Sequence, residues 1–77
     1  MKYGVILFNT TTSVMQAEKI LLKADFVIKL IPTPREFSAD CGISIRFEWD
    51  QNVQIKALLE KEKVNYEAIL LLVVNGI

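Results

Sequence analysis

Residues 43–49 alternate without a break. Ile43, Ile45, Phe47 and Trp49 fall on one side of an extended chain, and Ser44, Arg46 and Glu48 fall on the other. A strand with one apolar and one polar face belongs to a sheet covered on one side, which points to an antiparallel, two-layer arrangement. The rest of the chain is read around this strand.

Tyr3 to Phe8 is a short run of mostly β-branched and aromatic residues before a polar cluster, and reads as the first strand. Ser13-Val14-Met15-Gln16 fits a capping box. From there to about Ala24, Val14, Ala17, Leu21 and Ala24 recur at helical spacing with Ile20 beside them. Phe26 to Ile31 reads as the second strand, with Pro32 expected to end its pairing for want of an N–H. Asp50 is a natural N-cap for a second helix with the buried stripe Ile55, Leu58 and Leu59 and an exposed face of Lys and Glu. Tyr66 to Val74 reads as the last strand. The order is β-α-β-β-α-β. For one domain spanning 1–77 this predicts an α+β, two-layer ferredoxin-like βαββαβ sandwich. Right-handed crossovers give it an antiparallel sheet of order 4-1-3-2.

Composition narrows the function. Seventy-seven residues with nine Lys/Arg and nine Asp/Glu are formally neutral, so nothing draws the chain to nucleic acid or to an anionic membrane. With no His there is no imidazole base, no Cys–His dyad and no favoured metal ligand; neither a metal nor a cofactor is expected. A single Cys makes no internal disulfide. The opening MKYGVILF reads poorly as a signal peptide, and the apolar run Ala68 to Val74 is too short to span a bilayer, so a cytoplasmic protein is expected.

One segment stands out. The connection Pro32 to Gly42 is long for a hairpin, is stiffened by two prolines and holds the sole cysteine, Cys41. Gly42 is expected to allow a backbone angle or close approach that a side chain would forbid. In the 4-1-3-2 order this loop, the turn Asn9 to Ser13 and the entry to the last strand, Asn65-Tyr66, all gather at one end of the sheet. A sulfur-accepting cysteine must react as thiolate. Arg35 and the first turn of the first helix would favour that form, whereas Asp40 would oppose it. Arg46 is a less secure partner, because five extended residues span roughly 16 Å. The plain alternatives are that Cys41 packs as a small apolar filler and that the Thr run only caps a helix.

The run Pro32-Thr33-Pro34-Arg35, then Ser38, Cys41-Gly42 and Arg46-Phe47, resembles the signature of the selenium/sulfur (Se/S) carrier protein-like family. The resemblance extends from the opening strand through Ala17-Glu18 to the fourth strand. It implies a tie to selenium or sulfur metabolism with Cys41 as the carrier residue, and Arg35, Ser38, Gly42 and Arg46 as the surrounding motif. Two functions follow. One is a carrier holding sulfur or selenium on Cys41 as a persulfide or selenopersulfide, which exchanges it with donor and acceptor proteins. The other is a non-catalytic module whose Pro32–Gly42 loop binds a small anion or a protein, with Arg35 and Arg46 reading the ligand. An autonomous enzyme is the least favoured, for want of a second acid–base group.

Two structural expectations accompany these. The first is an exposed, reactive Cys41. The second is a homodimer through the sheet, because Ile69, Leu71 and Val73 alternate with Leu70, Leu72 and Val74, leaving both faces of the last strand apolar. On the uncovered face Ile6, Phe8, Val27 and Ile31 would join them.

Overall fold

The computed structural model describes residues 2–37 and 41–72. The elements run β1 (Tyr3–Leu7), α1 (Thr11–Lys23), β2 (Ile28–Pro32), β3 (Ile43–Glu48), a 3₁₀ turn (Trp49–Gln51), α2 (Asn52–Lys61) and β4 (Ala68–Leu72). The four strands form one antiparallel sheet in the order β2-β3-β1-β4, the expected 4-1-3-2 read from the other edge. β1 and β2 run parallel with β3 between them, so α1 crosses over β3; α2 crosses over β1 in the same way.

Register decides which residues face the helices. Ile6 stands opposite both Ile45 and Ile69, and Gly4 opposite Phe47. Ile6, Phe8, Ile45 and Phe47 share the core with Val14, Ala17 and Leu21 of α1 and with Ile55 and Leu59 of α2. The expectation that Ile6 and Phe8 lie on the uncovered face is therefore corrected. Residues 5–8 are all apolar and carry no alternation. Gly4 sets the facing, because its bare Cα lies under the Phe47 and Trp49 rings, where a Cβ would fall 2.7 Å from Trp49 Cε3. Those rings stack with centroids 6.1 Å apart. Val5 and Leu7, on the other face, are buried as well.

Several boundaries differ from expectation, β1 ending at Leu7 rather than Phe8 among them. Thr10, not Ser13, caps α1: its extended backbone lets Oγ1 accept the Ser13 N–H at 3.2 Å, so the helix begins within the hydroxyl run. α2 begins at Asn52 without a side-chain cap, and Asp50 lies inside the 3₁₀ turn that precedes it. β4 begins at Ala68 rather than Tyr66, and the expected residues Val73 and Val74 lie outside the described ones. β2 begins at Ile28, and Pro32 belongs to it, paired with Ile43. The Thr33 N–H donates to the Gly42 carbonyl at 2.9 Å, so the adjacent proline nitrogen faces the free sheet edge, where a missing N–H costs nothing.

Both helices end alike. Asp25 (φ 67°) and Lys63 (φ 58°) take the left-handed position usually held by glycine. The next N–H groups, of Phe26 and Val64, donate back to Leu21 and Leu59. Each closure also brings an apolar residue onto the core.

Candidate functional site

Cys41 stands where three strand ends and a helix start converge. Its N–H donates to the Phe8 carbonyl at 3.3 Å, and the Glu67 N–H donates to the Leu7 carbonyl at 2.7 Å. The start of β3, the end of β1 and the entry to β4 thus meet as topology required. From β1 the chain turns through Asn9 and Thr10 into α1, so Thr11 lies over the same end. Thr11 Oγ1 is 3.8 Å from the Cys41 sulfur, within hydrogen-bond reach for sulfur. The first-turn N–H groups of a helix lack intrahelical partners and bear partial positive charge, which favours an anion nearby.

The thiol is not exposed. Cys41 is a free cysteine with only 5 % of its surface accessible, and its side chain belongs to the core cluster. This corrects the expectation of an open thiol. Both of its peptide groups are held: besides the bond to Phe8, its carbonyl accepts the Thr33 hydroxyl at 2.9 Å. The sulfur lies inward, near Thr11.

The other site residues are spread. Arg35 is exposed in the turn that follows β2, where the Phe37 N–H donates to the Pro34 carbonyl. Ser38 and Asp40 lie outside the described residues. Gly42 is exposed, its φ is not positive, and a Cβ there would meet nothing within 4 Å. Neither an unusual angle nor a close approach requires glycine there, contrary to expectation. Arg46 faces away from Ile45 and Phe47, on the side of the sheet remote from the helices. Its guanidinium lies 4.4 Å from the centroid of the Tyr3 ring and Lys29 stands directly opposite it. The structure therefore joins Cys41 with Thr11 and Thr33, and does not bring Arg46 to them.

Thr33 and Ser44 were missed by sequence reasoning. Thr33 figures there only within the Pro32-Thr33-Pro34-Arg35 run and Ser44 only on the polar face of its strand, yet Ser44 is fully buried and its hydroxyl lies 2.7 Å from Thr33 Oγ1. The available signal was that both are hydroxyl residues flanking the cysteine loop. A groove of about 390 Å³ between α1 and α2, lined by Lys19, Ile20, Lys23, Ala24, Leu58 and Glu62, does not include this site. Among the described residues no three of His, Cys, Asp and Glu gather as metal ligands. No described helix is long and apolar enough to cross a membrane.

An α+β chain whose sole thiol lies beside a helix start is a small thiol protein. Residues 3–71 match the family described as "Putative Se/S carrier protein-like", and the chain belongs to that family. No curated protein and no solved structure gives a significant match.

Proposed function

We propose that the protein carries sulfur or selenium on Cys41. The observation that supports this most is that the sole cysteine of a chain in this family stands beside Thr11 at the start of α1. In the transfer step the Cys41 thiolate attacks the terminal chalcogen of a donor persulfide or selenopersulfide. The S–S or S–Se bond to Cys41 forms as the donor's bond breaks, and the electron pair leaves with the donor thiolate. The proton lost from Cys41 passes to water. The chalcogen keeps its oxidation level, so the step needs no cofactor, and delivery to an acceptor thiolate is the same step in reverse. First-turn N–H groups and the Thr11 hydroxyl suit the anionic product. Arg35, exposed in the loop, is placed to meet an anionic donor, and Ser38 and Gly42 are taken as site residues beside it. Arg46 takes no part in the transfer.

The burial of Cys41 favours a second reading, in which the thiol packs and the loop binds an anion or a protein through Arg35. One experiment separates the two. The protein is incubated with a cysteine desulfurase and cysteine and then analysed by intact mass and peptide mapping. Addition of one sulfur (about 32 Da) on Cys41, lost in Cys41→Ser, supports the carrier. No adduct on a folded protein supports the module.

The same reading takes residues 1–77 as one ferredoxin-like domain working in the cytoplasm, where an unpaired thiol stays reduced. It also takes the working unit as a homodimer joined along β4. That strand is an edge whose outer side pairs with no described strand, and its residues Ile69 to Leu72 are all apolar. The partners are then donor and acceptor proteins and a second copy of the chain.

A further inference from the structure

We propose that Thr33, backed by Ser44, is the positioning residue that keeps the Cys41 thiol turned into the protein and so governs its accessibility. The functional consequence rests on the carrier reading; the positioning does not. Thr33 is joined to the segment that begins β3 at three points: its N–H donates to the Gly42 carbonyl at 2.9 Å, its hydroxyl donates to the Cys41 carbonyl at 2.9 Å, and its Oγ1 lies 2.7 Å from Ser44 Oγ. A hydroxyl has one proton. Since that of Thr33 is given to Cys41, the Ser44 hydroxyl donates to Thr33. The result is a directed chain from Ser44 through Thr33 to the Cys41 carbonyl.

Burial gives this chain its weight. Ser44 has no accessible surface and is the one buried polar side chain among the described residues. A buried hydroxyl is costly unless bonded, and here the Thr33 oxygen satisfies it. Ser44 thereby holds the Thr33 oxygen in place, which leaves the Thr33 proton aimed at Cys41. With its carbonyl held by Thr33 and its N–H held by Phe8, the Cys41 residue is fixed at both peptide groups. Its one remaining freedom is the side-chain torsion, and the sulfur lies inward, near Thr11. Loss of the carbonyl bond lets the residue turn and present sulfur to solvent.

The test is the rate at which iodoacetamide alkylates Cys41 in the folded protein, with urea denaturation of each variant in parallel. Thr33→Val removes the hydroxyl and keeps the shape, and should raise the rate about tenfold, equivalent to about 1.4 kcal/mol on the opening equilibrium. Thr33→Ser restores the hydroxyl and should stay within about twofold of the parent. Ser44→Ala, which removes the backing donor, should also accelerate labelling, and decides the matter if Thr33→Val does not fold. The proposal is overturned if Thr33→Val matches the parent, if Thr33→Ser labels as fast as Thr33→Val, or if every rate merely follows the global unfolding constant from urea. Sulfur uptake is a separate readout. Faster alkylation without sulfur uptake retires the carrier and leaves the role of Thr33 standing.

Discussion

The Cys41 sulfur and the Thr11 hydroxyl oxygen lie 3.8 Å apart although the residues are thirty positions apart in the chain. A hydrogen bond to a charged acceptor is worth more than one to a neutral acceptor, so this hydroxyl acts mainly when Cys41 is thiolate or persulfide. Thr11→Val should therefore slow sulfur loading roughly tenfold, and Thr11→Ser should restore it. Thr11 is exposed, so the urea midpoint should move by no more than about 0.5 kcal/mol equivalent. A loading rate unchanged in the valine variant would remove Thr11 from the site.

The glycines at positions 4 and 42 should behave oppositely. A Cβ at position 4 would strike the Phe47 and Trp49 rings, at 2.8 Å from Phe47 Cε1 and 2.7 Å from Trp49 Cε3. Gly4→Ala should then destabilise by about 1–3 kcal/mol, the usual cost of overpacking. Position 42 is open, with no backbone angle that demands glycine. Gly42→Ala should change stability by less than about 1 kcal/mol. If that neutral substitution abolishes sulfur loading, Gly42 matters to the incoming partner and not to the fold.

Much of this architecture was legible beforehand, and the failures have physical causes. The alternation of residues 43–49 is strict enough to orient β3, and the strand order follows from the element order. That in turn places Cys41 beside the start of α1. The cap was misplaced because Thr10, Thr11, Thr12 and Ser13 are four consecutive hydroxyls, any of which can cap, and local backbone angles choose among them. The facing of β1 was misread because four successive apolar residues carry no alternation. Cys41 is buried in a core drawn from both helices and from β1 and β3, and its peptide groups bond to Thr33 and Phe8, eight and thirty-three positions away, which no local pattern reports.

Lys63 offers a gain in stability. Its φ of 58° is left-handed, a conformation in which a Cβ is crowded and glycine is not. Lys63→Gly should stabilise the protein by about 0.5–1 kcal/mol, net of the added entropy of the unfolded chain. Urea denaturation measures this; a lower midpoint would mean that the lysine side chain contributes more than its backbone angle costs.

Tyr66 should titrate late. Burial disfavours its phenolate, and its hydroxyl donates to Glu60 Oε2 at 3.0 Å, whose charge opposes ionisation further; together they raise its pKa above the ordinary 10.0. Because the folded value lies above the unfolded one, the associated stability is full below the unfolded pKa and is lost as pH rises through the folded pKa. In a Tyr3→Phe background, tyrosinate absorbance should reach its midpoint above 10, and Glu60→Gln should move it down without removing the contribution of burial. A midpoint at or below the ordinary value would place the hydroxyl in free solvent.

Dimerisation is the remaining expectation; of the two sheet edges, β4 suits it better, since Ile69 to Leu72 are all apolar whereas β2 carries Lys29 and Pro32. On the helix side Ile69 packs on the core, while Leu71, two residues on, is 38 % exposed. Val5 and Leu7, at the centre of the opposite face, are already buried, which favours pairing along the edge over stacking of faces. A second β4 would satisfy outward backbone groups and cover Leu71 together. Sedimentation equilibrium at micromolar concentration should give about twice the 8.8 kDa chain mass. Leu71→Lys should shift it toward the monomer, since each pairing would bring a charge to the joint. A monomer for the parent chain would show that β4 needs no partner.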